Sequence, residues 1–161
     1  MNGATLTVTE VLKLEGANIG VIADAFVETG SAIMLGQGAE ITGLNSATFS
    51  IVFAEDAKCG EYTLSHMLAD PTLNGEFQVD IIGGLDTTLA QEIAAAFTKD
   101  RLTLQATDAN GNLVDMIVWD AQMTNVNGTL TISGSASIPE PTTATLSLLA
   151  LAALAARRRR K

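Results

Sequence analysis

Cysteine and aromatic residues are scarce in this sequence. Cys59 is its single cysteine, so no disulfide can form within the chain. Aromatic residues make up 4% of the 161 residues, and Trp119 and Tyr62 are the one tryptophan and the one tyrosine. Because a sugar-binding face usually presents exposed aromatic rings, this scarcity argues mildly against one. Hydrophobic residues nevertheless make up 47% of the chain, which is enough to build a buried core.

Positive charge is scarce outside the last five residues. Up to residue 138 the chain has four cations against seventeen acids, which gives this part a net charge of −13. The four cations are Lys13, Lys58, Lys99 and Arg101. Nucleic-acid binding needs clusters of Lys and Arg, so the composition argues against a nucleic-acid partner. An acidic surface is typical of a soluble surface protein whose copies repel one another.

Motifs that carry chemistry are also lacking, since the sequence has no phosphate loop, zinc-ligand spacing or serine nucleophile elbow. Cys59 and His66 are its only thiol and imidazole, and a separation of seven residues does not by itself bring them together. We interpret Cys59 as an isolated turn thiol and His66 as a surface or packing residue. Glu55, Asp56 and Glu61 cluster as expected by chance among so many acids. We therefore expect no catalytic residue, no cofactor and no enzyme.

A possible calcium loop fails on its spacing. Asp108, Asn110 and Asn112 have the alternating oxygen ligands of the first half of such a loop. The loop also needs glycine at its sixth position and an acid at its twelfth, and Leu113 and Trp119 stand there instead. We therefore expect no metal site.

The first 137 residues predict a mainly β domain. Apolar and polar residues alternate over residues 5–14, which indicates a half-buried strand. Similar short segments follow at intervals of about ten residues, with Gly and Asn between them. The dipeptide Asn110-Gly111 predicts a type I′ hairpin between strands 102–107 and 113–119. We expect a β-sandwich or a truncated β-solenoid, for which a loose Gly-x-x-Ile spacing at Gly16, Gly30 and Gly38 is a weak indication.

One amphipathic helix is predicted near residues 87–99. Thr88 and Gln91 have the spacing of a capping box, and Asp86 adds negative charge just before it. One face would carry Leu89, Ile93 and Phe97. We expect this helix to cover an open sheet edge or one end of the core.

The C-terminal residues 138–161 form a separate segment with three parts. Pro139, Glu140 and Pro141 end any preceding strand, because proline lacks an amide donor. Residues 142–156 carry no charge and predict a transmembrane helix of about 22 Å, shorter than a bilayer core of about 30 Å. The chain closes with the basic residues Arg157, Arg158, Arg159, Arg160 and Lys161. Cations flanking a membrane segment stay in the cytoplasm, so the body should lie outside.

This order of parts resembles the PEP-CTERM sorting signal, which has a Pro-Glu-Pro motif, a short hydrophobic helix and an Arg-rich end. The resemblance implies export to the cell envelope or the extracellular space, with the tail as the initial membrane anchor. It also implies recognition by exosortase, a membrane-embedded cysteine protease, with cleavage near the motif.

The body is similar, over short stretches, to the last segment of autotransporter-like β-solenoid surface proteins with the same tail. These stretches are residues 60–64, 75–77, 119–120 and 128–130, which read Gly-Glu-Tyr-Thr-Leu, Gly-Glu-Phe, Trp-Asp and Gly-Thr-Leu. Residues 1–20 lack the basic start and continuous apolar core of a secretory signal peptide. The sequence therefore reads either as the C-terminal fragment of a longer surface protein or as a chain whose start is misassigned.

We expect a structural or adhesive protein of the cell envelope or matrix, with extracellular polysaccharide as a candidate partner. One alternative is a carbohydrate-binding module, which would need Trp119 and either Tyr62 or Phe77 on one exposed face. The other is a fragment of a larger hydrolase whose catalytic residues would lie upstream of Met1.

Overall fold

The structure is a computed structural model that describes residues 5–23, 31–108 and 110–139. Two α-helices lie within these ranges, α1 (Leu64–Ala69) and α2 (Thr87–Ala95). The first eight strands are β1 (Leu6–Val8), β2 (Val11–Lys13), β3 (Asn18–Ala23), β4 (Ile33–Leu35), β5 (Glu40–Thr42), β6 (Thr48–Phe53), β7 (Lys58–Cys59) and β8 (Tyr62–Thr63). The remaining strands are β9 (Asn74–Gly83), β10 (Leu102–Thr107), β11 (Leu113–Asp115), β12 (Ile117–Val126) and β13 (Thr129–Ser137). The prediction of a mainly β fold is confirmed.

The first six strands form two sets of three, and the strands of the second set pair with those of the first in the same order. Strand β1 pairs in parallel with β4, β2 with β5, and β3 with β6. Partners in the three ladders are separated by 27, 29 and 30 positions, in the pairs Leu6–Ile33, Leu12–Ile41 and Ile19–Phe49. The chain therefore winds through two successive coils of nearly equal length.

A third coil follows after an insertion. Residues 54–73 carry the antiparallel β7–β8 hairpin and helix α1. Strand β9 then pairs in parallel with β4, and β10 pairs in parallel with β6. Between them α2 takes the place in chain order that β2 and β5 hold in the first two coils. Ile41 of β5 and Ile93 of α2 line one groove, so the helix lies beside the two-stranded sheet.

The last strands close the end of this stack. Strands β11 and β12 belong to different sheets, with the orders β11-β10-β6-β3 and β1-β4-β9-β13-β12. Met116, which separates them, is buried, and its amide donates a hydrogen bond to the carbonyl of Leu104 at 2.9 Å. The segment 113–126 thus crosses from one sheet to the other. Strand β13 then returns antiparallel to both β12 and β9.

The core lies between the two larger sheets. Alternate residues of β6 point inward, and Phe49, Ile51 and Phe53 are at most 2% exposed. The rings of Phe53 and Phe77 meet edge to face with centroids 5.9 Å apart, which joins β6 to β9. Each such buried side chain contributes roughly 1.5–3 kcal/mol relative to an exposed one.

The single strand predicted over residues 5–14 is wrong. Strands β1 and β2 are separate and belong to different sheets, with Thr9 and Glu10 at the corner between them. Alternation continues across this corner in the sequence because each short strand keeps its own period of two. Leu6 is 55% exposed while Leu14 is buried, which a single half-buried strand would not give.

The helix prediction was right in place and wrong in detail. Helix α2 ends at Ala95, and its N-cap is Asp86, whose Oδ1 accepts the amides of Thr88 and Leu89 at 3.0 and 3.2 Å. An Asp side chain caps a helix as well as Ser or Thr does, so the helix begins after Asp86 and not after Thr88 of the predicted capping box. Phe97 lies beyond the helix and packs edge to face on Phe49. Helix α1, with six residues, is too short to show a helical period and was not predicted.

The hairpin at Asn110-Gly111 has a longer loop than predicted. Its strands pair up to Thr107 and Leu113, which leaves a five-residue loop, and the second arm ends at Asp115. The tight two-residue turn lies elsewhere, at Asn127-Gly128 between β12 and β13. Both of these residues have positive φ, 52° and 81°, as a type I′ turn requires.

Among the described residues no helix is long and apolar enough to span a membrane. The predicted transmembrane helix over residues 142–156 lies outside those ranges.

Candidate functional site

The sorting segment leaves the body directly from the core. Strand β13 ends at Ser137, and Ile138 is only 6% exposed and belongs to the hydrophobic core. Pro139 is partly buried at the surface. The rest of the predicted segment, from Glu140 onward with Pro141, residues 142–156 and the basic end, lies outside the described residues. The packed body therefore reaches to within one residue of the Pro-Glu-Pro motif.

Strand β13 is held on both sides where it approaches this exit. Ser137 pairs with Ile117 of β12 and with Asn74 of β9. Ala136 and Ser137 are both buried. Because backbone hydrogen bonds join β13 to a neighbour on each side, the exit is fixed relative to the whole five-stranded sheet.

Trp119 lies beside the exit because of a β-bulge in β12. Val118 pairs with Ala136 and Asp120 with Ser135, so Trp119 is the extra residue between them. A bulge bends its strand and redirects the side chain of the extra residue. Gly134 makes the local geometry possible, since a Cβ at this position would overlap the carbonyl of Asp120.

The indole of Trp119 is oriented by the last residue of β13. Its Nε1–H donates a hydrogen bond to the Oγ of Ser137 at 3.1 Å. Trp119 as a whole residue remains 61% exposed, and the neighbouring Ile117 is 44% exposed. The polar edge of the ring is thus satisfied by the protein while its apolar face meets solvent.

A shallow groove of about 330 Å³ surrounds this ring. Its walls come from the end of β13, the start of β12 and the loop before β9. The residues that line it are Pro71, Thr72, Asn74, Ile117, Trp119, Ser137, Ile138 and Pro139. All eight are uncharged, which is notable in a body whose net charge is −13.

The aromatic pairs considered for a sugar-binding platform differ in their exposure. Phe77 is 3% exposed and packs against Phe53, so it cannot share a surface with Trp119. Tyr62 is 36% exposed in β8, and the residues that line the Trp119 groove do not include it. Of these three rings, Trp119 alone lies at the groove.

Cys59 and His66 lie in different environments. Cys59 was predicted to be a turn thiol, but it lies in β7 with no exposed surface. Desolvation raises the pKa of its thiol to about 11, so the thiol stays protonated and unreactive at neutral pH. His66 is exposed on α1, where its Nδ1 lies 3.1 Å from the Oγ1 of Thr63. The hydrogen bonds of the described residues do not join the two side chains.

Asp108 is occupied by the turn that contains it. Its Oδ1 accepts the amides of Asn110 and Asn112 at 2.9 and 2.8 Å. The bond from the Asn112 amide is the largest cause that lowers the pKa of the Asp108 carboxyl. Glu55, Asp56 and Glu61 are exposed near the β7–β8 hairpin. Within the described ranges, no group of three or more His, Cys, Asp or Glu could hold a metal ion.

The comparison with family models gives one match. Residues 137–161 match the model of the PEP-CTERM protein-sorting motif. The chain is therefore a protein that carries this motif, as its residues predicted. The motif implies export, membrane anchoring and processing by exosortase, a membrane protein. Comparison with curated proteins gave no match, and comparison with solved structures gave none either.

The groove beside the motif was missed by sequence reasoning. The sequence analysis used Trp119 as a failed calcium ligand, as the end of a hairpin strand, in a short resemblance and as part of an aromatic platform, but not as part of a groove. Its partner Ser137 is 18 positions away, and their contact depends on the pairing of β12 with β13. The one available signal was Asn127-Gly128, which predicts a hairpin that folds these two strands together.

Proposed function

We propose that this chain is an exported cell-envelope or matrix protein whose tail is a removable address and whose β-rich body is structural or adhesive. The observation that carries the proposal is the junction at residues 137–139. The matched motif begins where the packing of the body ends, since Ile138 is in the core and Pro139 is at the surface. Cleavage beyond Pro139 would release a body with its core intact.

The tail would hold the protein in the membrane before this cleavage. Residues 142–156 would span the bilayer, and the cations of residues 157–161 would remain in the cytoplasm. The stretch is short for a stable span, which suits a temporary anchor better than a permanent one.

The parallel ladders favour the truncated β-solenoid over the β-sandwich for the body. Equivalent strands of successive coils stack in register, which is how solenoids bury a continuous core. Strands β1, β2 and β3 at one end have a strand partner on one side only within the described residues, whereas α2 and the β11–β12 segment lie at the other end. Such a rigid stack suits a structural part of a surface layer.

The intact mass of the protein from the native envelope fraction tests whether the C-terminal sorting signal is removed. We expect the wild-type mass to lack the C-terminal segment after the Pro-Glu-Pro region, and the same host without exosortase to keep the full mass. Substituting Glu140→Gln should slow processing, and the exposed body acid Glu61→Gln serves as the matched control. A full-length mass in the wild-type host would contradict the proposal.

The fate of the processed body tests its structural role. After removal of the tail, we expect the body to be recovered with the extracellular polysaccharide or envelope fraction rather than with the culture medium. Recovery of the processed body entirely in the medium would contradict a structural or adhesive role, while leaving the sorting function intact.

A further inference from the structure

The position of the Trp119 groove has a consequence for the anchored protein. Three chain steps separate Pro139 from residue 142, where the uncharged stretch begins, and they can reach no more than about 11 Å even when fully extended. Pro139 itself lines the groove together with Trp119. When residues 142–156 are in the bilayer, the groove must therefore lie close to the membrane surface.

The body cannot move this groove away from the membrane by using a linker. Ile138 is fixed in the core, and Ser137 is paired with strands on both sides. The freedom that remains lies beyond Pro139, within the short reach given above. The headgroup layer adds only roughly 5–8 Å on each side of the hydrocarbon core, so the groove and the lipid headgroups occupy similar depths.

The chemistry of the groove suits that depth. A tryptophan with a satisfied N–H and an exposed apolar face is the side chain that membrane interfaces favour. Ile117 adds an exposed apolar side chain beside it, and the groove carries no charged residue. An acidic body would be repelled by anionic lipid, whereas an uncharged groove can rest on zwitterionic headgroups without that cost.

We propose that the Trp119 groove is a membrane-contact surface that rests on the lipid headgroup layer while the tail is inserted. This inference rests on the proposed anchoring by residues 142–156. The contact sets the orientation of the body and holds the Pro139–Pro141 motif at a fixed depth, where a membrane-embedded protease can reach it. Once the tail is cut, one indole and one isoleucine hold the body only weakly, so the contact also permits release.

The single tryptophan allows a direct test with the full chain in phosphatidylcholine vesicles. Lipids with a quencher attached near the headgroup should quench Trp119 emission, and lipids with a quencher near the bilayer centre should quench it less. The control protein carries Trp119→Phe and Val126→Trp. Val126 is 58% exposed at the other end of β12, about 23 Å away at the usual rise per strand residue. We expect quenching by the shallow lipid to be about twofold or more greater at position 119 than at position 126.

Retention of the chain on the vesicles after alkaline carbonate extraction reports whether the tail is inserted, independently of Trp119. If the tail is inserted and position 119 is quenched no more than position 126, the inference is wrong and the anchoring stands. That result would favour a protein partner, and not lipid, as the occupant of the groove. If carbonate removes the chain, the anchoring fails, and the inference fails with it because insertion is what brings the groove to the surface.

Discussion

The indole Nε1–H of Trp119 donates a hydrogen bond to the Oγ of Ser137, the last residue of the strand that leads into the sorting motif. The bond connects an exposed ring to a buried hydroxyl, at a distance of 3.1 Å. A bulge in β12 and a close backbone approach at Gly134 place the ring there. The orientation of Trp119 is thus determined by the same strand that positions the tail.

Removing the acceptor should free the ring. We expect Ser137→Ala to lower the fluorescence anisotropy of Trp119 and to reduce the free energy of unfolding by about 0.5–1.5 kcal/mol, the usual net value of one hydrogen bond. Ser135→Ala is the matched control, because Ser135 lies on the same strand and pairs with Asp120. Equal anisotropy in the two variants would show that Ser137 does not hold the ring.

Gly43 lies at the corner between β5 and β6 in the second coil, next to Glu15 in the corresponding corner of the first coil. It has φ of +76°, and a Cβ at this position would lie 2.5 Å from the Cγ and 2.7 Å from the Cα of Glu15. We expect Gly43→Ala to cost about 2 kcal/mol or more, since left-handed backbone alone costs roughly 1–2 kcal/mol for a residue with a Cβ. The measurement is urea unfolding of the full chain in vesicles, followed by circular dichroism.

Gly20→Ala is the matched control for this corner. Gly20 lies in β3, with no atom within 4 Å of the added Cβ. Its replacement should be neutral or stabilise by up to about 1 kcal/mol, because alanine reduces the entropy of the unfolded chain. If Gly20→Ala lost as much stability as Gly43→Ala, the cost at Gly43 could not be assigned to its positive φ and its close contact with Glu15.

Arg101 lies directly before β10, and its side chain binds the turn before β6. Its Nε donates to the carbonyl of Ala47 and its Nη2 to that of Leu44, both at 2.7 Å, and the guanidinium lies 5.6 Å from the ring centre of Phe49. We expect Arg101→Met to reduce the free energy of unfolding by about 2–3 kcal/mol, as for hydrogen bonds from a charged donor.

Arg101→Lys should recover only part of this loss, since a single ammonium cannot reproduce the planar fork of donors. Lys58→Met, which removes an exposed cation from β7, is the control and should change unfolding by no more than about 0.5 kcal/mol. A similar effect for both methionine variants would assign the loss to charge rather than to these contacts.

Cys59 should make the fold sensitive to alkaline pH. Burial raises the pKa of its thiol to about 11 from an ordinary value of 9.0, so the unfolded chain loses this proton first. Stability from this group is complete below pH 9 and declines as pH rises from 9 to 11, because the unfolded state then binds fewer protons.

Urea unfolding of Cys59→Ala between pH 8 and 11 checks this effect. The variant should have a lower free energy of unfolding at pH 8, by about 1 kcal/mol for the lost packing. It should also show a shallower decline with pH than the wild type. Parallel pH profiles for the two proteins would show that the thiol does not titrate differently on unfolding.

Local sequence patterns were enough to predict part of the fold. Short alternating segments at intervals of about ten residues predicted the strands, and in β6 the alternating residues Phe49, Ile51 and Phe53 are buried. The helix was predicted at the right place because α2 is long enough to show its period. The same patterns could not show that residues 5–14 change sheet at a corner, since alternation is identical on both sides of it.

Asparagine–glycine turns show a second limit of local reasoning. Both Asn110-Gly111 and Asn127-Gly128 are dipeptides that favour a type I′ turn. At the first, Asp108 accepts two amides from within the loop and a five-residue connection forms. At the second, the strands pair up to Val126 and Thr129, and the tight turn forms. The surrounding hydrogen bonds therefore determine which of the two dipeptides forms the tight two-residue turn.

The sequence by itself identified the sorting motif, which implies export, because the motif is a run of contiguous residues whose order alone can be matched. It also determined the β character of the body, since alternation is a property of neighbouring residues. Tertiary structure decided which strands stack as coils and which side chains meet at the exit of the tail. Trp119 and Ser137 meet through a hairpin register, a bulge and a close backbone approach, and these depend on residues far apart in the chain.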